Sequence, residues 1–339
     1  MLEHSLEQRK QRWNALLDGE PGCRRVVSIN FEDGLRPRPI PNHNNIKDRM
    51  DWAVESYQMQ VNRMEWLPDD TVPSLPVYTG TEIFAEAFGC KVHHSDDNMP
   101  FALPMVSSAA QAARLKAPNM WDTPLAELFE IAGKLRQRAD KTAVLQIPDI
   151  QSPMDITALI WDKNDLMAAL LTEPEAVREL SQQVYLLLTQ FLDAWFDAFG
   201  PEFVAHYPNY YMKSGITLSE DEVGAVSPAV FQSMFYPELA QLSERYGRIG
   251  IHCCANARHQ WDNFASIPHL CLINLVQEAD VILDAYRRFE TVCAQMPIVG
   301  GKGPLESWDA QIPTQARVVF QVSASSRADA LEKLAVLRG

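Results

Sequence analysis

Short apolar runs of strand length alternate with helical stretches along this chain of 339 residues. That alternation constrains the fold more than any other feature of the sequence. Parallel neighbours are joined through crossovers, so strand-then-helix repetition implies a parallel sheet. Counting from Arg25, eight runs read as strands: 25–30, 75–79, 142–148, 203–207, 249–253, 271–275, 297–300 and 317–322. Helices are expected at 3–18, 46–66, 81–88, 123–139, 154–171, 174–199, 228–247, 279–293 and 326–338. In 46–66 the apolar residues Met50, Val54, Tyr57, Val61 and Met64 recur at threes and fours. No Pro/Gly/Ser-rich linker divides the chain. The expectation is therefore α/β, a single (β/α)8 TIM barrel over 1–339 with 1–24 as an N-terminal helical extension. A doubly wound sheet with a second domain is the alternative.

Charge and cysteine usage narrow the function classes. The chain carries 30 Lys+Arg against 44 Asp+Glu, a formal net charge of −14. That balance argues against a sequence-independent nucleic-acid surface or an anionic-membrane surface, both of which need a basic face. The start is charged where a signal peptide needs an apolar stretch. The longest apolar zone, 184–199, is cut by Gln190, Asp193 and Asp197, so it cannot span a bilayer. Six cysteines without a framework spacing suit a reducing compartment. A cytoplasmic enzyme acting on a small molecule is expected, with its oligomeric state left open.

A barrel places its chemistry on the loops that follow the C-terminal ends of its strands. The most informative stretch there is Gly250-Ile-His252-Cys253-Cys254-Ala-Asn256. Alternate side chains of a strand share a face, so His252 and Cys254 point one way and Cys253 the other. Imidazole and thiolate suit zinc, which holds a thiol substrate as a nucleophile at neutral pH. A hydrogen-bonded His beside a buried Cys in a packed strand is the plainer reading of the same residues. Asp221, Tyr207 and Glu82 are the candidates for catalytic work. Asn30, Arg36, Arg38, Asp149, Tyr210, Lys213, Asn256 and Lys302 are the candidates for contacting substrate, the last in the Gly-rich loop after the seventh run.

The segment Ser219-Glu-Asp-Glu-Val-Gly-Ala-Val-Ser227-Pro228, then Phe231, Pro237 and Gly250–Asn256, resembles the uroporphyrinogen decarboxylase superfamily. In that family an acidic turn, a Ser-Pro helix start and an "iHxCGN" strand follow in this order. The opening helix, Thr81–Gly89, and Pro153–Val177 with Glu173-Pro174-Glu175, are similar to the family as well. The resemblance implies a (β/α)8 barrel, and either a tetrapyrrole decarboxylase or a corrinoid-linked methyltransferase. The decarboxylases carry Arg-Gln-Ala-Gly-Arg after the first strand and an Asp in the second loop. Here Arg36-Pro-Arg38 lacks that spacing, and only Glu82 and Glu86 offer carboxylates near Tyr78–Phe88. The resemblance is thus to the methyltransferase branch, which implies zinc, and a corrinoid or corrinoid protein as methyl donor or acceptor. That branch binds zinc through His-x-Cys plus a later Cys on the eighth strand. His252 and Cys254 match the first two ligands, whereas Ser323 and Ser325 stand where the third is expected, and no Cys follows Cys293. Completion of the set falls to Glu278, Asp149 or Asp221, or to another imidazole. Two rival readings remain at this point: a metal-independent decarboxylase or lyase with Arg36 or Arg38 as an anion clamp, and a non-catalytic ligand-binding barrel.

Overall fold

The structure, a computed structural model, describes residues 5–31, 34–95, 97–299 and 311–338. Among these residues there are thirteen strands: β1 (Arg25–Asn30), β2 (Ser74–Pro76), β3 (Lys91–His93), β4 (Phe101–Leu103), β5 (Val144–Gln146), β6 (Phe203–Val204), β7 (Tyr211–Met212), β8 (Ile216–Ser219), β9 (Ile249–Cys253), β10 (Leu270–Gln277), β11 (Ala294–Gln295), β12 (Ile298–Val299) and β13 (Arg317–Ser323). The larger sheet runs β1-β13-β11-β10-β9-β8, with β12 also on β10, and a smaller sheet runs β2-β5-β6-β7. Every pairing in the two sheets is parallel except β6 with β7. An α/β protein built on parallel sheets is what the alternation of the sequence implies. The strands are nearly continuous in Val, Ile and Leu because helices cover their outer faces.

The two sheets are tied together at both ends. Asp70 donates its N–H to the Val27 carbonyl at 2.7 Å. Its carboxylate accepts the Val27 N–H at 2.8 Å, and the Asp69 carboxylate accepts the Ile29 N–H at 2.9 Å. The segment before β2 is thus bonded to β1 through side chains. At the other end Ser219 donates to the Ile150 carbonyl, and Ser152 donates to the Ser219 carbonyl.

The first helix, Leu6–Asp18, opens with a capping box at Ser5 and Gln8 and buries Trp13, Leu16 and Leu17. It also buries Arg9, whose guanidinium pairs with Asp69 at 2.5 Å. Arg12 and Arg338 converge on Asp70 at 2.7 and 3.0 Å. The first helix thus holds both carboxylates, and the last helix shares Asp70 with it. Among the described residues, no helix is long and apolar enough to cross a membrane.

Two of the sequence expectations that need correction lie close to the site. Ile216–Ser219 is a strand that the count of eight runs passed over. It is four residues long and follows directly on the β6–β7 hairpin, so its apolar residues merge with those of 203–212. The helix expected over 154–171 is two, Pro153–Ile160 and Lys163–Thr172. Trp161 leaves the helical path to bridge Val106, and the Asp162 carboxylate caps the second helix by accepting from Asn164 and Asp165.

The Arg9–Asp69 pair is almost fully buried, so removing one partner strands the other charge. Arg9→Leu is expected to cost about 3–5 kcal/mol of stability, as read by urea unfolding. A double change to Arg9→Leu with Asp69→Asn is expected to cost less than Arg9→Leu alone.

Candidate metal centre and its surroundings

The centre is built where β8 and β9 end side by side. Their parallel register pairs Ser219 with His252, so the turn after β8 meets the residue after β9. The Asp221 carboxylate accepts the Cys254 N–H at 2.5 Å. The ligand atoms of Asp221, His252 and Cys254 all lie within 4.8 Å of one another. His252 is buried, Asp221 half-buried and Cys254 exposed, while Cys253 on the opposite face is sealed in the core. The alternation read from the sequence is observed, and Asp221 stands where the third ligand was left open.

Several neighbours hold this geometry. Asp155, in the first turn of helix Pro153–Ile160, accepts the N–H groups of Asp221 and Glu222 at 2.7 and 3.0 Å. Gln277 donates to the Ala255 carbonyl at 2.7 Å and steadies the turn after Cys254. Gly224 is required by the close approach of these two loops, since a Cβ there would stand 2.7 Å from the Ala255 Cβ. Behind His252, its register partner Asn274 is fully buried on β10. The Asn274 amide donates to the Met296 carbonyl and its oxygen meets His252 Nδ1. A carbonyl only accepts, so the amide nitrogen must face Met296 and the amide oxygen must face the imidazole. His252 Nδ1 is therefore the protonated nitrogen, and Nε2 is left with its lone pair for a metal.

Acidic groups crowd the site. Glu220 is fully buried, with Asp155 and Ser152 beside its carboxyl group. Burial, then the nearby Asp155 charge, raises its pKa well above the ordinary value, and burial pushes Asp155 up to about 7. Asp149 is also pushed up to about 7, by burial and by the charge of Asp221. Burial and Asp221 likewise push the Cys254 thiol up to about 12. A divalent cation fits this donor set. One carboxylate and one thiolate neutralise its charge, and imidazole, thiolate and carboxylate are all ordinary zinc ligands.

The remaining candidates divide between this region and elsewhere. Tyr207 stands edge-on to the His252 ring at 5.1 Å, half exposed at the rim. Asp149 lies 3.7 Å from His206 Nε2. Burial, then the Arg38 charge, holds His206 down to about 3, so it is neutral. Asn30 ends β1 beside Ser323, and Asn256 lies exposed beyond Cys254; neither joins the cluster. Glu82 lines an open pocket apart from the metal centre with Glu86 and His43, where burial pushes it up to about 7. Lys302 lies outside the described residues.

Four assignments made from the sequence are corrected. Tyr210 is a core residue, its hydroxyl bonded to Thr217 at 2.5 Å and packed over Gly250, where a Cβ would collide with it. Lys213 pairs with Asp18, which also meets Arg248, where β9 begins rather than where it ends. Arg36 is held by Asp48 and Glu55 at 2.7 and 3.2 Å on the surface. Glu278 precedes helix Ala279–Arg288, exposed and outside the ligand cluster. Asp155, His206, Glu220 and Asn274 were passed over. A lone Asn inside the apolar run Leu270–Leu275 was the visible signal for Asn274, because an unpaired amide is costly there. Asp155 was hidden as an ordinary acidic residue in a helix first turn.

Residues 74–301 match the family described as uroporphyrinogen decarboxylase (URO-D). The chain belongs to the uroporphyrinogen decarboxylase family. No curated protein matches it. Among solved structures, a methyltransferase from Methanosarcina mazei superposes with a TM-score of 0.66 at 12% identity, covering 99% of each chain. That likeness is one of fold. The apo homocysteine methyltransferase of Escherichia coli covers 52% of this chain and 76% of its own, at 15% identity and a TM-score of 0.24. A superposition that loose carries no argument.

Asn274→Leu removes the acceptor that fixes the His252 ring and its tautomer. Metal affinity, measured by competition with a chromophoric chelator, is expected to fall 10- to 100-fold. Unfolding stability is expected to fall by about 1–3 kcal/mol, because the Met296 carbonyl and His252 N–H lose their partners.

Proposed function

We propose that this chain is a metal-assisted methyltransferase on a (β/α)8 barrel, transferring a methyl group between a corrinoid or corrinoid protein and a thiol or similar small acceptor. The observation that carries the reading is the convergence of Asp221, His252 and Cys254 at the ends of β8 and β9. Membership of the uroporphyrinogen decarboxylase family, and a fold shared along the chain with a protein described as a methyltransferase, support it. The pairing of Arg36 with Asp48 and Glu55 weighs against the clamp that a polycarboxylate decarboxylase needs.

In this reading Asp221, His252 and Cys254 would hold zinc, three protein donors as in catalytic zinc sites. When bound, zinc activates the acceptor thiol as a nucleophile at neutral pH. The chain's own residues supply the rest. Asn274 keeps His252 Nε2 aimed at the centre, and Asp155 keeps the Asp221 turn closed on Cys254. Asp149, near the Asp221 charge and with a pKa raised to about 7, would accept the proton the acceptor thiol releases on becoming the nucleophile. Tyr207 narrows the entrance above His252.

Cobalt(II) tests the ligand set, since a single thiolate ligand gives an intense near-ultraviolet charge-transfer band. Equimolar uptake is expected, with the band abolished in Cys254→Ser. Asp221→Asn is expected to weaken binding while leaving the band in place at saturation. Native protein that takes up no metal and still transfers methyl groups from a methylcorrinoid would falsify the mechanism.

A further inference from the structure

We propose that His206 is the positioning residue for Asp149, donating its Nε2–H to the Asp149 carboxylate and so orienting the group that receives the acceptor's proton. This rests on the reading of Asp149 as the base for a thiol acceptor.

Strand register brings the two side chains together. β6 lies parallel to β5 with Val204 opposite Gln146. His206, just past Val204, therefore stands beside Asp149, just past Gln146, at the same end of the smaller sheet. Both loops are pinned. Asp149 donates its N–H to Thr79 Oγ1 at 3.0 Å. The Gln146 side chain donates to the Ala205 carbonyl at 3.1 Å and to Asn209 Oδ1 at 2.7 Å, which closes the turn that carries His206. The His206 ring stacks on Tyr78 with centroids 5.3 Å apart and planes at 11°. The Arg38 guanidinium packs on the same Tyr78 ring, 3.6 Å from its centre. The stack sets the plane of the imidazole, and Nε2 lies 3.7 Å from Asp149 Oδ2.

The surroundings decide which ring nitrogen carries the proton. Burial, then the Arg38 charge, keeps His206 neutral, so one nitrogen holds a proton and the other a lone pair. Nδ1 is buried and has no hydrogen-bond partner among the described residues. A proton there would be a buried donor without an acceptor, and the Nε2 lone pair would face a carboxylate oxygen. With the proton on Nε2, the donor faces the acceptor. Held down to about 3, the ring does not compete with Asp149 for the thiol's proton. It can only donate. The 3.7 Å separation is longer than a hydrogen bond, and contacts of this kind tighten when substrate binds. The other charged groups near Asp149 are Asp221, from the turn after β8, and Glu82, from the loop after β2. Both are acids and disfavour a charge on Asp149, whereas a donated hydrogen bond from His206 favours it.

Carboxyl carbon-13 NMR of the zinc-loaded full chain, labelled at aspartate, reads the contact without turnover. The Asp149 signal is assigned by its loss in Asp149→Asn. In the wild type it is expected to titrate at about 7. His206→Phe keeps a ring on Tyr78 and removes the donor, so the charged carboxylate loses support and the midpoint is expected to rise by about one unit. His206→Gln, which keeps an N–H near the Nε2 position, is expected to return it most of the way. In methyl transfer from methylcobalamin to 2-mercaptoethanol, kcat is expected to rise with pH as Asp149 loses its proton. His206→Phe is expected to move that rise upward by the same unit and lower kcat below pH 7 about tenfold. The KM for the thiol and the cobalt(II) band from Cys254 are expected to stay unchanged. In an Asp149→Asn background His206→Phe is expected to add nothing. An Asp149 midpoint unmoved or lowered in folded His206→Phe, or moved equally by His206→Phe and His206→Gln, would overturn the assignment. A native protein that transfers no methyl group, while the midpoint still answers to His206, would keep His206 as the donor and overturn the methyl-transfer reading instead. If His206→Phe does not fold, His206→Asn against His206→Gln decides the matter.

Discussion

The register between β8 and β9 is the constraint on which the site depends. Ser219 faces His252, so the first two residues beyond β8 lie beside the first residue beyond β9. The Asp221 carboxylate can then reach the Cys254 N–H. A slip of one residue would turn His252 and Cys254 into the core and Cys253 toward the mouth. That slip is opposed along the whole strand. Ile249, Ile251 and Cys253 are sealed in the core, and Gly250 accepts the Tyr210 ring. Packing at the bottom of the strand therefore fixes chemistry at its top.

The charges around this register explain why the site asks for a cation. Asp149, Asp155, Glu220 and Asp221 gather within one another's fields, and three of them have raised pKa values. Two like charges about 5 Å apart at an effective dielectric of about 20 repel by roughly 3 kcal/mol. A fold does not assemble such a group without an offset. Hydrogen bonds from the backbone N–H groups of Asp221 and Glu222 supply part of it at Asp155. Burial beside Asp155 raises the pKa of Glu220 and so disfavours a further charge there. Asp221 and Cys254 carry the part that a bound metal would neutralise.

Much of this was legible in the sequence, and the failures have physical causes. Parallel strands show as unbroken apolar runs because both faces are covered, and β1, β9 and β13 were placed to within a residue. Ile216–Ser219 was passed over because four residues beside a hairpin carry too little periodicity. His252 and Cys254 were found because a two-residue spacing on a strand has a definite geometric meaning. Tyr210, Lys213 and Arg36 were misplaced because position after a strand says nothing of which end a hairpin returns to, or of which acids lie nearby. Lys213 sits beyond the β6–β7 hairpin and has come back to the Asp18 end of the fold. Asn274 and Asp155 act through other residues, and such roles have no local pattern.

Asp221 also alters the character of the centre. With one imidazole, one thiolate and one carboxylate, the total ligand charge equals that of an imidazole with two thiolates. A divalent ion is neutralised equally well in both. What changes is softness: a carboxylate oxygen gives up less electron density than a thiolate and leaves the ion a stronger Lewis acid. A metal held by this set would be selected less strongly for its affinity to sulfur than one held by two thiolates. Serines at the end of β13 then cease to be a defect. The carboxylate of the cluster stands on the turn after β8, where Asp155 accepts the Asp221 N–H from behind.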